Sequence, residues 1–140
     1  MKTAVYILLM ALIVVGCKKS NREPEPLPSD PLYRTWKLTE TQNPTGDWKT
    51  VSYERTIKFL PAGTIQYLVP QVPCCWPVRF DRQGQRLKLT EIYLGAGCET
   101  VYCASPSVYT ILSLTDSELI LESFYGSTNP VSGGLMKFRN

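Results

Sequence analysis

The sequence predicts an all-β domain that folds as an antiparallel, up-and-down β-barrel of about eight strands. Three observations lead to this fold class: apolar and polar residues alternate in short segments, turn residues separate those segments, and no stretch keeps a helical period over three turns. Many short strands with regular turn signals are typical of a sandwich or a barrel. Successive hairpins favour the barrel, which leaves no exposed sheet edge.

The first half of the domain contains one strand and one hairpin. Residues 33–41 (YRTWKLTET) place Trp36 and Leu38 on the same face of a strand, since side chains alternate between faces. Residues 54–60 (ERTIKFL) and 64–69 (TIQYLV) are two further alternating segments, separated by the turn sequence PAG. We therefore expect these two segments to pair as a hairpin.

The second half adds two hairpins and a closing strand. Residues 77–94 contain PVRFD, RQG and QRLKLTEIYL, with Gly84 supplying the positive φ that such a turn often requires. Residues 107–124 contain SVYTILSL, TDS and ELILESF, and residues 133–140 (GGLMKFRN) form the last strand. The segment PQVPCCWP at 70–77 holds three prolines, which cannot donate ladder hydrogen bonds, so we expect irregular pairing there.

The chain begins with an apolar run that is too short to span a membrane. The run extends from Ala4 to Val15, after Met1 and Lys2, whereas a transmembrane helix needs about 20 apolar residues. A basic start, an apolar centre of this length and small residues at its end are typical of a secretory signal. A buried core helix is the alternative, but the run has no polar face and proline-rich sequence follows it at once.

Residues 14–17 (VVGC) resemble the lipobox of bacterial lipoproteins, in which aliphatic and small residues precede a cysteine. The resemblance implies cleavage before Cys17 and attachment of lipid to the Cys17 thiol and amine. Each buried CH₂ contributes roughly 0.8 kcal/mol, so several acyl chains hold a protein on a membrane where one is marginal. We therefore expect a signal peptide over 1–16, a lipidated cysteine with a proline-rich tether over 17–31, and the β-domain over 32–140.

The β-domain resembles the lipocalin-like domains found on many small lipoproteins of Bacteroidetes. The segments that carry the resemblance are TWKL with Trp36, the hairpin TIKFLPAGTIQY, the later hairpin YTILSLTDSELILE and the terminal LMKFRN. The resemblance implies an eight-stranded antiparallel barrel with a central cavity. Together with the barrel shape, it leads us to expect a non-catalytic carrier of a small apolar ligand.

The residues after Cys17 bear on location. Lipoproteins of that group that are bound for the cell surface often carry an acidic cluster directly after the cysteine, whereas here the segment is KKSNR. We expect the protein at the outer membrane, facing the periplasm, with the lipid anchor as its contact with the membrane. The basic residues of this segment are either a solvated linker, which the small number of charges favours, or a contact with anionic lipid.

Composition excludes several functions. Histidine is absent, so the chain has no Ser-His-Asp or Cys-His relay and no histidine-ligated metal. The formal net charge is +3, or +2 once Lys2 is removed, and no basic stripe with interleaved aromatics indicates nucleic acid. The charged residues form no catalytic pair, and residues 95–97 (GAG) lead into no helical pattern that would suit a nucleotide. We expect no enzyme and no cofactor.

Four cysteines remain in the domain once Cys17 is set aside, and an exported protein meets an oxidising compartment. A bond between adjacent cysteines would strain the peptide that joins them. We therefore expect two disulfides that run from the 74–75 segment to the 98–103 segment, with both crossings left open. A zinc site is the alternative, but adjacent cysteines ligate one metal poorly, so we expect no metal. The four residues are Cys74, Cys75, Cys98 and Cys103.

Aromatic side chains are the candidates for lining a ligand pocket, because they suit a mostly apolar cavity. An eight-stranded barrel is only just wide enough to be packed or hollow, so the same residues are alternatively core. Trp76 lies in an expected loop, where it is either a rim contact or a cover for the disulfides. A filled interior would favour a packed structural or protein-interaction module at the envelope, with a surface around Trp76. The candidates are Trp36, Phe59, Tyr67, Trp76 and Tyr109.

Overall fold

The computed structural model describes residues 30–140, which form a closed antiparallel β-barrel with one extra strand. The all-β barrel that the sequence predicts is confirmed, and the only helix in this part of the chain is a single 3₁₀ turn, Pro31–Tyr33. The predicted signal peptide, Cys17 and most of the tether lie outside the described residues. The strands are β1 (Thr35–Gln42), β2 (Trp48–Thr50), β3 (Thr56–Leu60), β4 (Thr64–Tyr67), β5 (Pro77–Gln83), β6 (Arg86–Ile92), β7 (Val108–Leu114), β8 (Glu118–Tyr125) and β9 (Val131–Arg139).

Eight strands close the ring in the order β1-β3-β4-β5-β6-β7-β8-β9, and β9 pairs with β1. From β3 onward each strand pairs with the next along the chain, which is the predicted up-and-down arrangement. The extra strand β2 was not predicted, and its three residues are too few for a visible alternation. It pairs with the second half of β1 (Glu40↔Thr50), whereas β3 pairs with the first half (Thr35↔Lys58). The two therefore share one edge of β1.

The two ends of the barrel differ in their connections. One end, which we call the closed end, carries connections of only two or three residues, at 61–63, 84–85 and 115–117. The 3₁₀ turn and the C-terminus lie at the same end. The opposite end, which we call the mouth, carries longer connections of up to fifteen residues, at 43–47, 51–55, 68–76, 93–107 and 126–130.

Glycines allow two of the tight turns at the closed end. Gly63 has φ 74° and Gly84 has φ 63°, both in the left-handed region that glycine enters without steric cost. Gly63 donates to the carbonyl of Leu60 at 3.0 Å and accepts from the amide of Phe80 at 2.8 Å, so its turn also joins β3–β4 to β5. The positive φ that the sequence predicts at Gly84 is confirmed.

Side chains fill the interior of the barrel. The period-two alternation of the strands directs one face of each inward, as predicted, and the inward side chains exclude solvent. Trp36 has 0% of its surface exposed, and its indole N–H donates to the carbonyl of Leu32 at 3.0 Å. The buried cluster is Leu32, Trp36, Leu38, Ile57, Phe59, Ile65, Tyr67, Phe80, Leu87, Tyr109, Ile111, Leu119, Leu121 and Phe138.

The 3₁₀ turn covers the closed end. Its Leu32 side chain is fully buried in the core, and the Asp30 carboxylate caps the turn by accepting from the amide of Leu32 at 3.0 Å. Asp30 also forms an ion pair with Arg82, and Arg34 forms one with Asp116 at 2.9 Å. The sequence places the start of the β-domain near Leu32, which lies within this turn. Asp30, which caps the turn, precedes that boundary by two residues.

Strand pairing is weakest beside the proline-rich segment. Strands β4 and β5 share a single register pair, Thr64↔Arg79, whereas β8 and β9 share eight. Residues 68–76 form no strand and extend over the mouth instead. The expected irregular pairing at this edge is therefore confirmed, and the gap brings the cysteine-containing loop to the mouth.

Candidate functional site

Two disulfides join the loops of the mouth. Cys74 bonds to Cys98 and Cys75 bonds to Cys103, so both bonds run from the 68–76 loop to the 93–107 loop, as predicted. The structure also assigns the crossing, which the sequence left open. Cys75 has φ 70°, in the left-handed region, and this turn of the backbone separates the directions of the two adjacent cysteines. All four described cysteines are bonded, so none of them offers a thiolate to a metal.

A pocket of about 250 Å³ lies inside the mouth, beside the disulfides. Three loops, at 51–55, 68–76 and 93–107, and parts of several strands form its walls. Apolar, hydroxyl and sulfur groups alternate around it, and Arg55 is the only charged residue among the described ones that line it. The lining residues are Arg55, Cys74, Cys75, Trp76, Pro77, Ala104, Pro106, Tyr109, Ser123, Tyr125 and Met136.

Arg55 and Trp76 form the centre of one wall. The guanidinium carbon of Arg55 lies 4.3 Å from the centroid of the Trp76 ring and 5.8 Å from that of the Tyr67 ring. The Tyr67 and Trp76 rings pack against each other with centroids 4.7 Å apart. Because the negative face of an aromatic ring attracts a cation, this arrangement holds Arg55 at a fixed place in the wall.

The charge of Arg55 has no neutralising partner in the described chain. None of the ion pairs found among residues 30–140 includes it. Its Nε atom is buried and makes no hydrogen bond to any described residue. A guanidinium stays protonated in proteins, so the group is a partly buried cation whose Nε donor is unused. A buried donor without an acceptor costs about 1–3 kcal/mol, and more for a charged group.

Two tyrosine hydroxyls lie near the guanidinium. The Tyr67 hydroxyl donates to the carbonyl of Pro77 at 2.7 Å. Burial raises the pKa of Tyr67 and of Tyr109 above the ordinary value, while the charge of Arg55 and its side-chain hydrogen bond oppose the rise in both. Both side chains are therefore neutral hydroxyls at neutral pH, and they add polar atoms to the site without adding charge.

The structure divides the five aromatic candidates into two groups. Trp76 and Tyr109 line the pocket, and Tyr67 packs directly against Trp76. Trp36 and Phe59 are fully buried in the packed interior and do not line the pocket, so the core interpretation describes them. Trp76 adjoins both the pocket and the bonded cysteines, so its position does not separate its two alternative roles.

Sequence reasoning missed Arg55. A usable signal existed, because Arg55, Ile57 and Phe59 occupy alternate positions and therefore share a face of the β3 segment. Ile57 and Phe59 point inward, so the same period predicts an arginine directed toward the interior near the end of that strand. Ser123, Tyr125 and Met136 were missed as well. They lie on β8 and β9, and only closure of the ring brings them to the pocket.

Other depressions lie on the outside of the barrel. The larger, of about 540 Å³, runs beside β6 and β7 and includes Arg86 and Lys88, both of which are solvent-exposed. A second, of about 310 Å³, adjoins the Cys74–Cys98 bond. No residue that lines either depression has a buried side-chain polar atom without a partner, whereas Arg55, which lines the pocket inside the mouth, has a buried Nε without one.

The fold and the pocket define a disulfide-clamped, all-β barrel with a pocket inside its mouth. Comparison with protein-family models, curated proteins and solved structures finds no match to this chain. Between residues 30 and 140, no helix is long and apolar enough to cross a membrane. Over the same residues, no three His, Cys, Asp or Glu side chains gather as metal ligands would.

Proposed function

We propose that this chain is a lipid-anchored protein of the bacterial envelope whose barrel binds a small ligand at its mouth and catalyses no reaction. The observation that carries the proposal is the pocket inside the mouth. Ligand sites are typically concave, largely apolar and fitted with a few polar groups, and they occur in the mouths of β-barrels. Trp76, Pro106 and Met136 supply the apolar part here, and Arg55 and Tyr109 supply the polar part.

The packed interior limits the size of the ligand. The pocket measures about 250 Å³, below the roughly 300–1,000 Å³ that drug-sized ligands occupy. Trp36 and Phe59 fill the space beneath it. The apolar cargo that the sequence predicts is therefore a compact group, since a long acyl chain would need those core residues to move.

The anchor and the mouth lie on different sides of the domain in this proposal. The described chain starts at Asp30, at the closed end, and the lipid is proposed on Cys17. The proline-rich tether between them reaches roughly 40 Å at about 3.1 Å per residue if it is extended. An anchor attached at the closed end leaves the mouth free to exchange ligand with the periplasm, on the inner face of the outer membrane.

The proposed anchor is tested by metabolic labelling with a fatty acid. The full chain is expected to incorporate label, and the Cys17→Ser variant is expected to lose it. The matched control is Ser20→Ala, which changes a neighbouring residue of the tether and is expected to leave labelling intact. Undiminished labelling of Cys17→Ser would contradict the anchor, but not the ligand site.

The pocket is tested by filling it with a side chain. Ala104 lines the pocket and is exposed, so Ala104→Trp should occupy the cavity without disturbing the core. Ser127→Trp places the same bulk in the outer depression beside β6 and β7 and serves as the control. A ligand that binds only the folded state raises the melting temperature. Small acids and their amides should include a compound that stabilises the parent chain and Ser127→Trp, but not Ala104→Trp. Equal stabilisation of all three chains would contradict the proposed site.

A protein-interaction module is the second candidate, and one observation favours it. Eight large apolar side chains are exposed among residues 30–140, and all but Leu112 lie at the mouth. Clustered exposed apolar groups mark interaction surfaces. Tyr102, which is 96% exposed, is the natural test, because Tyr102→Ser should weaken a protein contact and leave small-molecule binding unchanged. The seven exposed apolar residues at the mouth are Tyr53, Leu68, Leu94, Val101, Tyr102, Tyr125 and Val131.

A further inference from the structure

We infer that the mouth pocket binds a small organic carboxylate, with the Arg55 guanidinium as the group that recognises it. The inference rests on the proposed ligand-binding function and narrows the ligand to one chemical class. It depends on four features of the pocket: its charge, the geometry of its donors, its apolar part and its size.

The pocket is cationic. Arg55 is the one charged side chain in its described lining, and no aspartate or glutamate lines it. Six other basic side chains among residues 30–140 stand beside carboxylates, as in Arg34–Asp116 at 2.9 Å and Lys37–Glu54 at 3.0 Å. Arg55 instead stands beside a cavity. A neutral ligand would leave the charge of Arg55 without a partner, whereas an anion supplies the opposite charge.

The geometry favours a planar oxyanion. The guanidinium carbon of Arg55 lies over the Trp76 ring, 4.3 Å from its centroid, and Arg55 also lines the pocket. Arginine presents its N–H donors as a planar fork, which matches the two oxygens of a carboxylate. Tyr109 lines the same pocket and its hydroxyl stays protonated, so it is a second candidate donor to the same anion.

The number of cations and the pocket volume favour a monoanion with a compact body. One guanidinium neutralises one charge, and the described lining offers no second cation for a phosphate dianion. Most of the accessible lining is polar, and Trp76, Pro106 and Met136 supply a smaller apolar part that suits the short hydrocarbon body of such an acid. The outer depression with Arg86 and Lys88 is the rival location. Its cations are exposed, where water weakens their attraction for an anion.

Isothermal titration of the oxidised full chain, purified in detergent, tests the inference. The probes are sodium benzoate, its neutral isostere benzamide, and inorganic phosphate. Benzoate is expected to bind at least tenfold more tightly than benzamide, and phosphate is expected to bind more weakly than benzoate. Arg55→Gln should weaken benzoate binding at least tenfold.

Two further variants are matched to Arg55→Gln. Lys58→Gln removes an equal charge from the next outward-facing position of β3, which lies outside the pocket lining, and should bind benzoate as the parent does. Arg55→Lys keeps the charge but loses the fork, and should fall between the parent and Arg55→Gln. Circular dichroism of both variants shows whether they fold. If Arg55→Gln does not fold, Arg55→Lys is the variant that tests the inference.

The outcomes separate this inference from the proposed function. Benzamide that binds as tightly as benzoate, with both lost in Ala104→Trp, would retain the pocket but overturn the carboxylate. Benzoate binding that survives both Ala104→Trp and Arg55→Gln would overturn the inference, and loss in Arg86→Gln would then move the site to the outer depression. Phosphate that binds more tightly than benzoate would overturn the carboxylate and indicate a phosphate group as the part of the ligand that Arg55 recognises. If none of the probes binds, the inference fails, and failure of the wider panel to stabilise the chain would also count against the proposed function.

Discussion

The closed end and the mouth of this barrel are built by opposite means. Connections of two or three residues, a 3₁₀ turn and a dense core form the closed end. The mouth has long loops, two disulfides, a pocket and most of the exposed apolar side chains. Local sequence and packing thus determine one end, whereas covalent cross-links hold the other. Because the cross-links hold the loops in place, the mouth does not need a tightly packed core, and a pocket can stay open there.

The cross-links also explain how the mouth tolerates poor strand pairing. Strands β4 and β5 share one register pair beside the proline-rich loop, and the prolines remove hydrogen-bond donors there. The Cys74–Cys98 and Cys75–Cys103 bonds tie that loop to the connection between β6 and β7. At this edge the disulfides supply stability that a regular ladder of hydrogen bonds supplies between other strands.

The largest expected difference between the ends is in the cost of removing a tryptophan. Trp36→Ala, in the packed interior, should lower the free energy of unfolding by about 3–5 kcal/mol, because it leaves a cavity and a carbonyl of Leu32 without its donor. Trp76→Ala, at the partly buried wall of the mouth, should cost less than half as much but should abolish ligand binding. Urea unfolding of both variants measures the difference. Equal costs would mean that the mouth is as tightly packed as the closed end.

Removal of the disulfides should be the next largest effect, and it should not be additive. Closing a loop of this length stabilises by about 3–4 kcal/mol, as the sequence separations of 24 and 28 indicate. Once either bond exists, the second closes only a short ring through 74–75 and 98–103, and it adds less. Cys75→Ala with Cys103→Ala should therefore cost clearly less than half of what all four substitutions cost. Denaturant titration under non-oxidising conditions measures this, and two equal, additive losses would contradict it.

A smaller effect should appear at alkaline pH, through Tyr67 and Tyr109. Burial raises both pKa values above the ordinary value of about 10. Above pH 10 the unfolded chain loses phenolic protons that the folded chain keeps. The contribution of the two tyrosines to the free energy of unfolding is therefore fully present below pH 10 and decreases as the pH rises further. The slope should reach about 1.4 kcal/mol per pH unit for each tyrosine. Tyr109→Phe should reduce the slope that urea titrations between pH 9 and 11 measure. An unchanged slope would show that Tyr109 ionises freely in the fold.

The smallest effect should come from an ion pair at the surface of the closed end. Arg34 and Asp116 are 2.9 Å apart, with 40% and 79% of their side chains exposed. Exposed pairs contribute about 0–1 kcal/mol, because water screens the charges and the long side chain loses entropy. Asp116→Asn should therefore change the free energy of unfolding by less than about 1 kcal/mol in urea unfolding. A loss comparable with that of Trp36→Ala would show that charge, rather than packing, holds the closed end.

The sequence predicts the closed end much better than the mouth, for a physical reason. Alternating apolar residues and turn glycines such as Gly63 and Gly84 act over a few neighbouring positions, so they are visible in a linear chain. The residues of the mouth pocket come together only when β9 pairs with β1 and closes the ring. Arg55, directly before β3, and Met136, on β9, are an example. The disulfide partners were visible as two segments. Their crossing depends on the left-handed backbone at Cys75, which no local pattern of cysteines signals.

The extra strand and the inward arginine show two different limits of sequence reasoning. Strand β2 has three residues and pairs with β1 through backbone groups that any residue provides, so its sequence carries almost no signal. Arg55 did carry a signal, since it shares the inward period of Ile57 and Phe59. A charged residue in a buried period usually indicates a strand end, and here that strand end is the wall of the pocket.

Native mass spectrometry of the full chain, released from the envelope of its producing cells without reductant, would test the central claim most directly. The account predicts a small acidic adduct on the parent chain that Lys58→Gln retains and that both Arg55→Gln and Ala104→Trp lose. The protein mass should also be lower by four hydrogens, which correspond to two disulfides. An adduct that persists in Ala104→Trp, or a parent chain that carries none and takes up no benzoate, would contradict a ligand site in the mouth.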